Sequence, residues 1–137
     1  MSDEGRRLLN LARVATLASI NPDGAPHLVP IVYAVIGDRL VTAVDQKPKR
    51  DLNLARLRNI RRDPRVSVLA HHYAEGWRHL WWVRVDGTAT ILSEDADAVA
   101  ALKARYPQYG EYDVVGPVIS VAMDDIRVWT ADSRSQG

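Results

Sequence analysis

Two turn signals cut the N-terminal part of this chain into pieces too short for anything but a meander of strands. Asn21-Pro22-Asp23-Gly24 and Gly37-Asp38 separate the runs Ala12 to Ile20, His27 to Ile36 and Arg39 to Val44. Pro fixes φ at the second position of the first turn, and Gly tolerates its tight exit. The runs between are rich in Val, Ile, Ala and Thr, which predicts three antiparallel strands joined by short connections. Pro30 offers no ladder hydrogen, so its run is predicted to lie at a sheet edge or to carry a bulge.

The remainder of the chain extends this pattern. Asp3 to Leu11 reads as an amphipathic helix with Leu8, Leu9 and Leu11 on its apolar side. Asp51 to Arg62 reads as a second helix, capped by Asp51, striped by Leu54, Leu57 and Ile60, and stopped by Asp63-Pro64, because the residue before Pro is pushed out of the helical region. Strands follow over Arg65 to His71 and Trp81 to Leu92, the latter with a bulge expected at Gly87. Ser93 is the predicted cap of a third helix running to about Arg105, with Glu94, Asp95 and Asp97 at its dipole-favoured start. Val114 to Met123 and Ile126 to Thr130 make a last pair of strands. Short antiparallel strands with helices inserted among them predict a mainly β, α+β fold closed into a small barrel, since closure removes exposed edges. The 137 residues form one domain, 1–137, able to bury its own core.

Composition narrows the function. With no Cys there is no thiolate nucleophile, disulfide or cysteine metal site. No stretch approaches the ~20 apolar residues of a membrane span, and the N-terminus has no apolar signal core, so a cytoplasmic protein is expected. A formal net charge of +1 argues against wholesale coating of nucleic acid. His71-His72 alternate across a strand and so do not share an ion, and no zinc-ligand spacing occurs. His27 and His79 lack partners, and Ser19 and Ser67 stand in no nucleophile-elbow context. Trp81-Trp82 put one indole on each face of their strand. The aromatic loop from Tyr106 to Tyr112 suits either packing over a barrel mouth or the rim of a pocket. No catalytic side chain and no metal site is predicted.

Charge is nevertheless concentrated. Eight of the eighteen basic residues fall between Lys47 and Arg65, opposed there only by Asp51 and Asp63. Two of the chain's three Lys, Lys47 and Lys49, flank Pro48 and precede Arg50. A basic segment between a strand and a helix suits a phosphate or polyanion. The plainer reading is an Arg-rich, solvated helix face.

Four segments taken together carry a resemblance: Ala-Thr-Leu-Ala-Ser-Ile-Asn-Pro-Asp-Gly-Ala-Pro-His-Leu-Val-Pro at 15–30, Thr-Ala-Val-Asp-Gln-Lys-Pro-Lys-Arg at 42–50, Asn-Ile-Arg-Arg-Asp-Pro-Arg-Val-Ser-Val-Leu at 59–69, and Val-Arg-Val-Asp-Gly-Thr-Ala at 83–89. In that order they resemble the pyridoxamine-phosphate-oxidase-like split β-barrel proteins, and within them the actinobacterial branch that uses the deazaflavin coenzyme F420 instead of FMN. The resemblance implies a six-stranded antiparallel split barrel that forms a homodimer, with cofactor sites across the interface. It implies phosphate binding by Lys47, Pro48, Lys49 and Arg50, with Arg56 on the following helix. Leu28, Val29, Pro30 and Ile31, with Thr42, Ala43 and Val44, would back the ring, and Trp77, Arg78 and Trp81 would reach over from the second subunit.

The chemistry of such a site agrees with the residue types. A flat ring wants an apolar or aromatic slot, and its phosphate wants Lys and Arg. The apolar runs Val29 to Ile36 and Leu80 to Val83, with three Trp between 77 and 82, exceed what one small barrel covers and point to dimerisation. The expected activity is a deazaflavin-dependent reductase acting on a small organic substrate. The alternatives are an FMN enzyme of the same fold and a non-catalytic cofactor binder. Single-strand nucleic-acid binding through the basic segment and Trp77, Trp81 and Trp82 is set against the near-neutral total charge, so neither nucleic-acid nor membrane partners are expected.

Overall fold

A computed structural model describes residues 3–44, 54–73, 75, 79–107 and 117–131. They form three helices, α1 (Asp3–Leu11), α2 (Ala55–Arg62) and α3 (Ala96–Arg105). Seven strands accompany them: β1 (Ala15–Ile20), β2 (Pro26–Ile31), β3 (Ala34–Ile36), β4 (Arg39–Ala43), β5 (Arg65–His72), β6 (Trp81–Leu92) and β7 (Val118–Thr130). All strand pairs are antiparallel, in the order β2-β1-β5-β6-β7-β4-β3. The two edge strands, β2 and β3, are consecutive in the chain and separated only by Val32 and Tyr33. The run His27 to Ile36 is therefore not one straight strand: it breaks at these two residues, each half pairs with an opposite margin of the sheet, and the sheet curls into a split barrel. Counted as continuous segments, the barrel has six strands.

Tyr33 makes the break. Its side chain is fully buried, and its hydroxyl donates to the Leu9 carbonyl at 2.6 Å. Burial pushes the phenol pKa up to about 12, so it stays a neutral donor. Thr42 satisfies the other side of the break, its hydroxyl donating to the Val32 carbonyl at 2.7 Å. The Arg105 guanidinium lies over the Tyr33 ring at 4.6 Å and donates to the carbonyls of Tyr33 (3.0 Å), Leu9 (3.2 Å) and Ala12. One side chain thus closes the C-terminal end of α1, the barrel break and the end of α3. Arg105→Ala should cost about 2–3 kcal/mol, the desolvation penalty of carbonyls left unpaired. Urea denaturation measures it, and Arg105→Lys should recover only part, since a point charge cannot span the same carbonyls.

Inside the barrel, Leu17, Leu40, Val68, Val83, Val85, Ile119 and Val121 are sealed from solvent, with Leu8, Leu9, Leu57 and Ile60 closing it from α1 and α2. A second cluster under α3 joins Val41, Ala98, Leu102 and Tyr106. Several boundaries differ from expectation. β7 is a single strand, because Asp124 is absorbed as the extra residue between the paired positions Met123 and Asp125, opposite Gly87. The bulge expected at Gly87 is thus present. α3 is capped by Asp95, not Ser93: the Asp95 carboxylate accepts the Ala98 N–H at 3.1 Å and binds Arg39 at 2.5 Å. Arg39 and the backbone donor hold that carboxyl below its usual range. α2 begins at Ala55 with Leu54 at its N-cap and no side-chain cap; Asp51 lies outside the described residues. Asp63 ends α2 in an extended conformation, as the following Pro requires. Leu11, expected on the buried side of α1, is 56% exposed.

Candidate functional site

β2 presents two unlike faces. His27, Val29 and Ile31 turn inward, whereas Pro26, Leu28 and Pro30 are exposed, Leu28 by 65%. Among the described residues β2 pairs only with β1, so the missing N–H groups of Pro26 and Pro30 are tolerated at this edge. The outward Leu28 and Pro30 make an apolar platform of the kind a flat ring needs. Ile31 belongs to the core, and so do Thr42, Ala43 and Val44, which are almost fully buried. Ile31 and Val44 pack in the barrel core and Ala43 in the cluster under α3, so these four offer little side-chain surface of their own.

A second feature lies where β1 starts, β5 ends and β6 begins. A cleft of about 670 Å³ opens between the α1–β1 link and the strand ends, lined among others by Arg13, Val14, Leu69, His71, His72 and Trp81. His72 stacks on Trp81, with ring centroids 6.1 Å apart and planes 22° from parallel. The two residues are direct cross-strand partners, which is why they meet. Leu11, Val14, Leu69 and Tyr73 leave apolar surface exposed around the cleft. Trp82 faces the other way and pairs with Trp129, so the expected split of the two indoles is observed. The sequence reading missed this cleft. The sequence weighs His71 and His72 only as ligands of a shared ion, and the register between β5 and β6 is what aligns His72 with Trp81.

Trp81 and the end of β4 stand at opposite ends of the β6–β7 ladder. Trp81 pairs with Thr130 at one end of the β6–β7 ladder, and Leu92 pairs with Val118 at the other. Ala43 also pairs with Val118, and the Val44 N–H donates to the Pro117 carbonyl. β4 therefore ends on the side opposite Trp81, roughly 35 Å away as measured along β6 at about 3.4 Å per residue. α2 lies toward the same end as Val44: Asn59 donates to Ser19 and Asn21 at 3.1 and 3.0 Å, and Ala89 donates to Pro64. Arg56 is half-buried in its first turn. Lys47, Pro48, Lys49, Arg50, Trp77 and Arg78 lie outside the described residues.

Other candidates resolve into structure. Ser67 donates to Asp86 at 2.6 Å. Tyr106 is buried and bonds the Tyr33 and Arg13 carbonyls at 2.9 and 3.0 Å, so this member of the aromatic loop packs rather than lining a pocket rim. His27 Nδ1 is buried with no hydrogen-bond partner among the described residues. No cluster of three His, Cys, Asp or Glu stands together among them, and no described helix is long and apolar enough to cross a membrane.

Comparison with known proteins agrees with the architecture. The family model described as pyridoxamine 5'-phosphate oxidase matches residues 1–132. Among solved structures, the chain is similar to a conserved hypothetical protein from Mycobacterium tuberculosis, at 27% identity over 95% of this chain and 85% of that one, with a TM-score of 0.77. It has the fold of an FAD-binding protein from Mesorhizobium loti, at 22% identity over 93% and 94% of the two chains, TM-score 0.70. It also has the fold of a heme binding protein from Mycobacterium smegmatis, at 21% identity and TM-score 0.77, covering 96% of this chain but 55% of that one.

Proposed function

The chain belongs to the pyridoxamine 5'-phosphate oxidase family, and on that premise we propose that it is an oxidoreductase that uses the deazaflavin coenzyme F420 to reduce a small organic molecule. The observation that carries this reading is the Lys47-Pro48-Lys49-Arg50 run shortly after β4, within four segments that resemble the deazaflavin-using branch, in a chain matched by this family over nearly its whole length. The described residues fit a flat ring. Leu28 and Pro30 give an exposed apolar platform, and the Trp81–His72 stack gives an aromatic one. Two proteins of this fold are named for binding FAD and heme, which supports a ring-shaped ligand without choosing among them.

The opposite placement of Trp81 and the exit from β4 supports a homodimer whose subunits each supply half of a site. In this reading Lys47, Lys49 and Arg50 bind the phosphate of a cofactor whose ring rests on Leu28 and Pro30 of the same subunit. Trp81 of the second subunit covers the ring and excludes water. When bound, the deazaflavin supplies the hydride chemistry. The protein's own work is to hold ring and substrate close and dry, roughly 3–3.5 Å apart, so no acid, base or nucleophile is required of it.

FMN is the alternative cofactor, because the platform and the basic run serve either ring. Fluorescence titration with each decides between them. The deazaflavin should bind at least tenfold tighter, a difference of about 1.4 kcal/mol. Equal or reversed affinities would assign the protein to FMN, and turnover of neither reduced cofactor with any acceptor would make it a binder.

A further inference from the structure

We infer that the outward face of β6 and β7 carries a self-complementary set of charges that fixes how a second copy of this chain docks, an inference that rests on the dimeric reading above. Arg84 and Asp86 lie on β6, with Asp125 and Arg127 on β7. Val83 and Val85 between and beside them are fully buried, so by strand alternation the charges project from the opposite face. Register places Arg84 directly opposite Arg127, and Asp86 directly opposite Asp125. Like charges directly opposite one another destabilise an antiparallel pair. Here two such rows stand side by side, one doubly basic and one doubly acidic.

Within the subunit each Arg is held along its own strand, Arg84 on Asp86 at 3.1 Å and Arg127 on Asp125 at 3.0 Å. The carboxylates therefore already neutralise the basic row, which is not a free anion site. What remains unexplained inside one copy is why the rows are ordered by sign. A two-fold axis lying in the interface and crossing the strands between the rows supplies a reason. It carries the basic row onto the partner's acidic row and the acidic row onto the partner's basic one, so every charge gains an opposite neighbour. An axis parallel to the strands would stack like on like.

Apolar surface continues on the same face. Leu69, paired with Arg84, is 38% exposed, Pro30 follows it across Thr16 and Leu28 follows the acidic row across Ser67 and Ala18, and Trp82 and Trp129 flank the basic row. The crossing axis also reverses strand direction between copies. It carries the Trp81 end of each β6 toward the half of the partner's ladder that leads to the exit from β4.

Paired charge reversals test this. Arg84→Asp with Arg127→Asp gives an all-acidic face, and Asp86→Arg with Asp125→Arg an all-basic one. By sedimentation each variant should be monomeric at concentrations where the unaltered protein is a dimer, and an equimolar mixture should form a one-to-one heterodimer. Association of the unaltered protein should also weaken as salt rises from about 0.01 M to 1 M, over which the Debye length falls from roughly 30 Å to 3 Å; this arm needs no substitution. Variants that still dimerise, a mixture that stays monomeric, or salt-independent association would each overturn the charge-set register while leaving a dimer with bound cofactor intact. An unaltered protein that is monomeric throughout would overturn the register and the cross-subunit site together.

Discussion

Gly87→Ala should be the most damaging single-methyl change in this protein, lowering stability by about 3 kcal/mol or more, beyond the usual 1–3 kcal/mol of overpacking. A Cβ at this position would stand 1.9 Å from the Ala122 carbonyl oxygen and 3.1 Å from its carbon. That neighbour is backbone, so no rotamer change relieves the clash. It also sits in the register shift where β7 accommodates Asp124, and relief would require the bulge to open. β6 and β7 make the longest ladder of the barrel, so the loss spreads across the core rather than remaining local. Chemical denaturation of the variant beside Gly24→Ala is the measurement. Gly24 has open space around its missing Cβ but a φ of +86°, so its substitution is expected to cost only the smaller, turn-confined strain of about 1 kcal/mol. Equal losses at the two positions would mean that β7 shifts freely and that the close approach is not rigid.

The largest effect on function is expected from the basic run. Replacing Lys49 and Arg50 together by Ala should weaken cofactor binding by about 2–4 kcal/mol, since charge-assisted hydrogen bonds contribute about 1.5–3 kcal/mol each and do not add fully. In a titration this is roughly a thirtyfold to thousandfold rise in Kd. An unchanged melting temperature would show that the fold survives. A folded double variant that binds as before would move the phosphate elsewhere, with Arg56 on α2 the next residue to replace. Because the prediction concerns phosphate and not ring, it holds for FMN as for the deazaflavin.

How much of this was legible before the structure depends on how local the cause was. α1 over Asp3–Leu11 and β6 over Trp81–Leu92 stand where apolar periodicity put them, and Asp63-Pro64 stops α2 through a steric rule confined to two residues. The turn at Asn21 to Gly24 is held by its own atoms, with Gly24 donating to Asn21 and Ala25 to the Asp23 side chain. Edge placement of β2 followed from the missing N–H of Pro30. The resemblance of four short segments sufficed to anticipate the family, because those segments carry the turns and strand ends that this fold repeats.

What sequence could not supply was set by partners distant along the chain. Asp95 rather than Ser93 caps α3 because Arg39, fifty-six residues earlier, pairs with its carboxylate. The run from His27 to Ile36 looks continuous, and it breaks at Tyr33 because Leu9 and Arg105 hold that residue inside the barrel. Asp124-Asp125 resembles a turn, yet β7 runs through it because Gly87 leaves room for the bulge. The residue types of the candidate site were readable from the sequence alone. That Trp81 and the exit from β4 stand at opposite ends of one ladder was not, since strand register is a property of pairing between segments and no single segment contains it.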